Sequence, residues 1–150
     1  MENATMGKVL VSAKFENLSD LILVEQGHLP ANQVRSVEVA DAVVDTGAST
    51  LSLPKRLIAQ LGLHPFRTRQ ARTAGGVVSM QMYRAVRLTV QGRDCLCDVA
   101  EVSDDCPVLI GQVPLEILDF VIDTNSQKLI GNPAHGGEQM IEIFSFFNPP

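Results

Sequence analysis

The stretch that most limits what this chain can become is Ala42-Val43-Val44-Asp45-Thr46-Gly47-Ala48-Ser49-Thr50-Leu51. An apolar run stops abruptly at Asp-Thr-Gly, and apolar sequence resumes a few residues later. Val43 and Val44 are β-branched and favour a packed, pleated backbone. The order reads as a buried strand that delivers one carboxylate to a tight turn. Gly47 lets the chain double back where a side chain would collide, and Thr46 offers a hydroxyl to tie the turn to a neighbour. A carboxylate at the end of a dry strand is costly unless it is hydrogen-bonded or shares a proton. Asp45 is therefore the candidate functional acid, with Thr46, Gly47 and Ala48 as its support. The plainer reading is an Asp-capped turn that happens to spell Asp-Thr-Gly, so context must decide.

Two further features supply that context. Residues 66–74 and 77–90 flank Gly75-Gly76, and extended segments around a glycine pair predict a hairpin with Ala74, Gly75, Gly76 and Val77 at its tip. Val108-Leu109-Ile110-Gly111 then repeats the pattern of an apolar strand stopped at a glycine. A short helix is expected over 113–118, opened near Pro114.

The segment Val43–Ser49, with this hairpin and the Ile110-Gly111 stop following in order, resembles the aspartic proteases of the retroviral (retropepsin) type. The resemblance runs from about Lys8 to Pro133. It implies an all-β, single-lobe acid-protease barrel, closed, with a flap hairpin and one or two short helices. It implies that Asp45 is catalytic, that residues 74–77 form the flap, and that Ile110 and Gly111 belong to a structural loop behind the site. The chemistry needs two carboxylates sharing one proton. This chain supplies one suitable aspartate, so the resemblance implies a two-fold homodimer with a polypeptide substrate and an Asp45 from each copy. Retroviral enzymes usually carry Asp after Asp-Thr-Gly-Ala and a basic residue after the second glycine; Ser49 and Gln112 stand at those positions here. The alternative function is a non-catalytic homodimerising or peptide-binding module of the same fold. A serine hydrolase built on Ser49 lacks the Gly-x-Ser-x-Gly elbow.

The rest of the chain reads as one domain, 8–133, between an N-terminal tail, 1–7, and a C-terminal tail, 134–150. Strands are expected at 8–15, 21–24, 34–44, 50–53, 95–102 and 108–110. A helix opens at Pro54, presents Leu57, Ile58 and Leu61, and stops at Gly62. His64, just beyond, is expected to face the helix's last carbonyls. A hairpin is expected from 120–123 and 128–130, with Asp123 capping its own turn. Asp123-Thr124-Asn125 is not a second active-site triplet, because Asn125 replaces the glycine. Gly131–Gly137 reads as a flexible link, and residues 141–147 as an edge strand that pairs with another subunit. Tyr83 reads either as lining the site or as packing beneath the hairpin.

One hundred and fifty residues with 45% hydrophobic and 19% charged content suit a single packed core. A net charge of −5 disfavours nucleic acid or an anionic membrane as the main partner. No apolar run is long enough to span a membrane, and Met1–Val11 lacks the pattern of a secretory signal. Cys95, Cys97 and Cys106 are odd in number and give no disulfide framework. Cys-x-Cys with His64 or His135 does not have the spacing of a zinc site. The expectation is a cytoplasmic protein with no metal and no cofactor.

Overall fold

The computed structural model describes residues 8–143. Nine strands and three short helices follow one another in it. They are β1 (Val9–Asn17), α1 (Leu18–Glu25), β2 (Ser36–Val44), β3 (Leu51–Pro54), α2 (Lys55–Leu61), β4 (His64–Thr73), β5 (Gly76–Val90), β6 (Arg93–Val102), β7 (Leu109–Ile110), α3 (Gln112–Leu118), β8 (Phe120–Asp123) and β9 (Lys128–Gly131).

Seven strands form one sheet in the order β1-β2-β7-β3-β6-β5-β4, and β1 also pairs with β5. The extra pairing, Lys14 opposite Thr89 through Asn17 opposite Val86, closes six of the strands into a ring. β4 hangs outside the ring as the second arm of the hairpin with β5. This is an all-β acid-protease barrel, as expected.

Alternation explains the interior. In β1, Val9, Val11, Ala13 and Phe15 point inward, since successive side chains of a strand face opposite ways. They meet Leu51, Leu53, Leu61, Val86, Leu88, Val99, Ile110 and Leu118, all fully buried. Each such side chain stabilises the fold by about 2 kcal/mol. Cys95 is buried on the same face of β6 as Val99, and the half-buried Cys97 packs on the core between them.

Three expectations of local structure are corrected. Leu21–Val24 is not a strand: it lies inside α1. The Asn17 side chain caps that helix by accepting the Asp20 N–H (3.0 Å) and donates to the Leu61 carbonyl (2.7 Å). Asp20 in turn takes two hydrogen bonds from the Arg35 guanidinium, each 2.9 Å. The helix buries Asp20 and leaves Ile22 and Leu23 exposed, so its polar anchors override the β-branched run. His64 is not a helix cap but the first residue of β4, opposite Arg84. Gly131–Gly137 is not a loose link: it closes β9 and forms a 3-10 turn, Pro133–His135, capped by Asn132. Of the expected edge strand, Ile141–Ile143 carry no strand, and 144–147 lie outside the described residues.

Candidate active site

β2 carries Ala42 and Val44 into the core and ends one residue before Asp45. The chain then turns through 45–50 and returns as β3. β2 and β3 do not pair with each other; β7 lies between them, parallel to β2 and antiparallel to β3. The turn is therefore held by backbone bonds to a segment some sixty residues away. Asp45 N–H donates to the Ile110 carbonyl (3.0 Å) and Gly111 N–H to that of Thr50 (3.0 Å). Gln112 N–H donates to Ala48 (2.8 Å) and Val113 N–H to Ser49 (3.0 Å). Ala48 N–H closes the turn on the Asp45 carbonyl (3.1 Å). These backbone bonds, at both the N–H and the C=O of Asp45, fix its position without using its side chain.

The two glycines of these motifs answer to close approach. A Cβ on Gly111 would lie 2.5 Å from the Thr50 carbonyl oxygen and 2.7 Å from that of Ala48. Those are backbone atoms that cannot step aside, so only glycine lets β7 reach the turn. Gly47 sends its N–H to Asp45 Oδ1 at 2.9 Å, and a Cβ there would crowd that oxygen at 3.2 Å. Among the described residues this is the only hydrogen bond to the Asp45 carboxylate, which is half-buried.

The hairpin of β4 and β5 follows α2 in the chain and is closed by Ala74-Gly75. Thr73 Oγ1 accepts the Gly75 N–H (3.2 Å) and donates to the Gly76 carbonyl (2.8 Å). Gly76 has φ +114°, a left-handed conformation that L side chains rarely adopt. At its tip, Val77 is exposed. Tyr83 is part of the hairpin's foundation: it packs against the core and donates to Glu101 Oε1 at 2.6 Å. That hydrogen bond to a carboxylate, with burial, pushes its hydroxyl up to about 12.

A family model described as aspartyl protease matches residues 32–134. The chain belongs to this family. The matched segment contains Asp45, the hairpin and Ile110-Gly111, so the retropepsin resemblance of Val43–Ser49 is borne out at the level of family. The search of curated proteins found none that matches the chain. Membership supports a protease-type function, in a family that acts on polypeptides. No helix among the described residues is long and apolar enough to cross a membrane.

Other acids of the chain have their own company. Asp123 accepts the Asn125 N–H (3.2 Å) and the Ser126 hydroxyl (2.7 Å), which hold its carboxyl below the usual range, as a turn cap should. Gln112 spends its side chain on Glu116 (3.1 Å), and Ser49 forms no hydrogen bond to a histidine among the described residues. Reading the sequence missed a cluster around Asp119. This residue caps α3 in the left-handed conformation, φ +61°. Its carboxylate meets His135 Nδ1 (2.6 Å), the Met140 N–H (2.9 Å) and Asn132 Nδ2 (3.2 Å). His135 Nε2 lies 2.7 Å from Glu142. Arg93 donates to the carbonyls of Leu118 and Asp119 and to that of Gly137. The one sequence signal was an aspartate where a helix-ending glycine usually stands.

Next to the turn is an open groove of about 430 Å³, lined by Thr46, Gln112, Leu115, Phe120 and Ile122. Among the described residues, β8, on its far side, pairs only with β9.

Proposed function

We propose that the protein is an aspartic endopeptidase that works as a two-fold homodimer, with Asp45 of each copy on the axis. One observation supports the reading: Asp45 sits on a turn stitched by backbone bonds, and among the described residues its carboxylate accepts only the Gly47 N–H. A rigid mount with free lone pairs suits chemistry better than structure. Two such carboxylates in contact cannot both ionise and share one proton. The ionised member takes a proton from a water while that water's oxygen attacks the scissile carbonyl carbon. The protonated member donates to the carbonyl oxygen. The tetrahedral diol then collapses: a proton passes to the amide nitrogen, the C–N bond breaks, and no acyl-enzyme forms. Thr46 of each chain would bond across the axis and hold the two turns together. The hairpin tip, 74–77, would close over the peptide as a flap.

The groove beside Thr46 and the edge of β8 that no described strand covers support the pairing. A two-stranded sheet is marginal alone, and a second copy adding its own β8 there would complete it. The test is cleavage of an apolar-centred peptide at mildly acid pH, with the mass in solution measured alongside. The expected result is a dimer, tightened by a pepstatin-like inhibitor, whose cleavage is blocked by that inhibitor and by Asp45→Asn. A monomer that still cleaves refutes the shared site. A dimer that binds the inhibitor yet never cleaves is the non-catalytic module.

A further inference from the structure

The charge of this chain is divided by position. Residues 46–93 contain no Asp or Glu and eight of the twelve Lys and Arg. The remainder has 17 acidic against four basic residues, so a segment of +8 sits within a chain of −5. Structure sharpens the division. Each of the four arginines outside the paired arms of the hairpin, 64–84, is engaged: Arg35 with Asp20, Arg56 with Asp104, Arg87, farther along β5, with Glu16, and Arg93 with the carbonyls that end α3. The four on the hairpin, Arg67, Arg69, Arg72 and Arg84, have no carboxylate within ion-pairing distance among the described residues.

Register distributes these cations along the arm. Arg67 opposite Met82 and Arg69 opposite Met80 share one face, and Arg72 opposite Val77 lies on the other. The guanidiniums of Arg67 and Arg84 stack on the Phe66 ring, 5.1 and 4.3 Å from its centre. Stacking occupies the flat face of a guanidinium and leaves its N–H edge free to donate, the geometry that suits a carboxylate. Cations crowded on one arm repel one another unless an anion joins them.

We propose that the hairpin selects acidic polypeptides, with Arg67, Arg69 and Arg72 receiving Asp or Glu side chains that flank the cleavage site. This rests on the flap reading above and names the substrate class of that same site. An extended peptide fits the arm better than a nucleic acid does, because the surrounding body is strongly acidic and repels a continuous phosphate backbone.

The test uses the full chain carrying Asp45→Asn, so that nothing is turned over. Fluorescence anisotropy compares a decapeptide with an apolar centre and Glu flanks with its Lys-flanked counterpart. The Glu peptide is expected to bind at least roughly tenfold tighter, weakening as salt rises from about 50 to about 300 mM. The preference should vanish in Arg67→Gln/Arg69→Gln/Arg72→Gln, whose melting temperature should match its parent because all three residues are exposed. Equal affinities, a Lys preference, no binding of either peptide, a preference that survives the triple variant, or tighter binding of a single-stranded oligonucleotide would each overturn the proposal. Cleavage by the unsubstituted chain separates the two ideas. Arginine-dependent binding without cleavage sinks the endopeptidase reading alone, whereas cleavage of both peptides at equal kcat/KM sinks the acidic preference alone.

Discussion

Asp45 and Asp119 are two aspartates at sharp turns of one chain, and the chain treats them in opposite ways. Asp119 caps α3 and is surrounded by donors: His135, the Met140 N–H and Asn132. Those bonds, the one with His135 first, hold its carboxyl below the usual range. Asp45 has its backbone N–H and C=O bonded as well, but the emptier side chain, with one N–H from Gly47. A carboxylate ringed by its own chain's donors has spent its lone pairs on structure. One mounted firmly and left short of partners keeps them for another molecule. The contrast separates the acid that ties the fold from the acid that acts, which a count of aspartates does not.

The strongest way to break the comparison is to neutralise each acid in turn. Asp45→Asn should lower peptide cleavage by roughly a thousandfold or more and leave the thermal melt unmoved. Asp119→Asn should do the reverse, lowering the melting temperature while the molecules that remain folded still cleave. Cleavage by Asp45→Asn at the unsubstituted rate would end the distinction.

Next in size is the mount. Gly111→Ala should cost about 3 kcal/mol in chemical denaturation, because its Cβ would meet fixed carbonyls of the turn. A cost near zero would mean that the turn yields, and Asp45 could then not be called rigidly held.

The Asp119 cluster should also depend on pH. His135 is raised above its ordinary 6.5, by Glu142 first and then Asp119, so its contribution is full below 6.5 and lost as pH climbs through the raised value. Asp119 is lowered from 3.8, so its contribution is full above 3.8 and lost as pH falls through the lowered value. The cluster should be tightest between 3.8 and 6.5. Protection of the Met140 amide from exchange should peak in that window and weaken above it, and His135→Gln should flatten the upper limb. A flat profile in the unsubstituted protein would show that the histidine is not part of the tie.

The smallest effect is expected at Tyr83→Phe, which removes the bond to Glu101 and should cost about 1 kcal/mol. Cleavage should stay within about twofold, as for a group that anchors the hairpin rather than lines the site. A large loss of cleavage with an unchanged melt would move Tyr83 into the site.

Much of this was legible in the residues, where the cause is local. Pro54 and Gly62 bound α2, and the glycine pair marked the hairpin, whose turn lies one residue earlier, at Ala74-Gly75. Asp123 caps a turn within three residues of itself. Leu21–Val24 misled, because its apolar run hid a helix started by the Asn17 cap on Asp20 and held by Asn17 reaching Leu61 and Asp20 reaching Arg35. The segment at 132–137 misled in the same way. Its composition is that of a loose link, and its order comes from Arg93 and Asp119.

From the sequence alone came most of the strands and turns, the bounds of α2 and the lone Asp-Thr-Gly. Those depend on residue type and on spacing along the chain. Only the folded chain decided that β7 slots between β2 and β3, that β1 closes the ring on β5, and why position 111 must be glycine. Such facts depend on distances between segments remote in sequence, and local preference carries no information about which backbone will arrive.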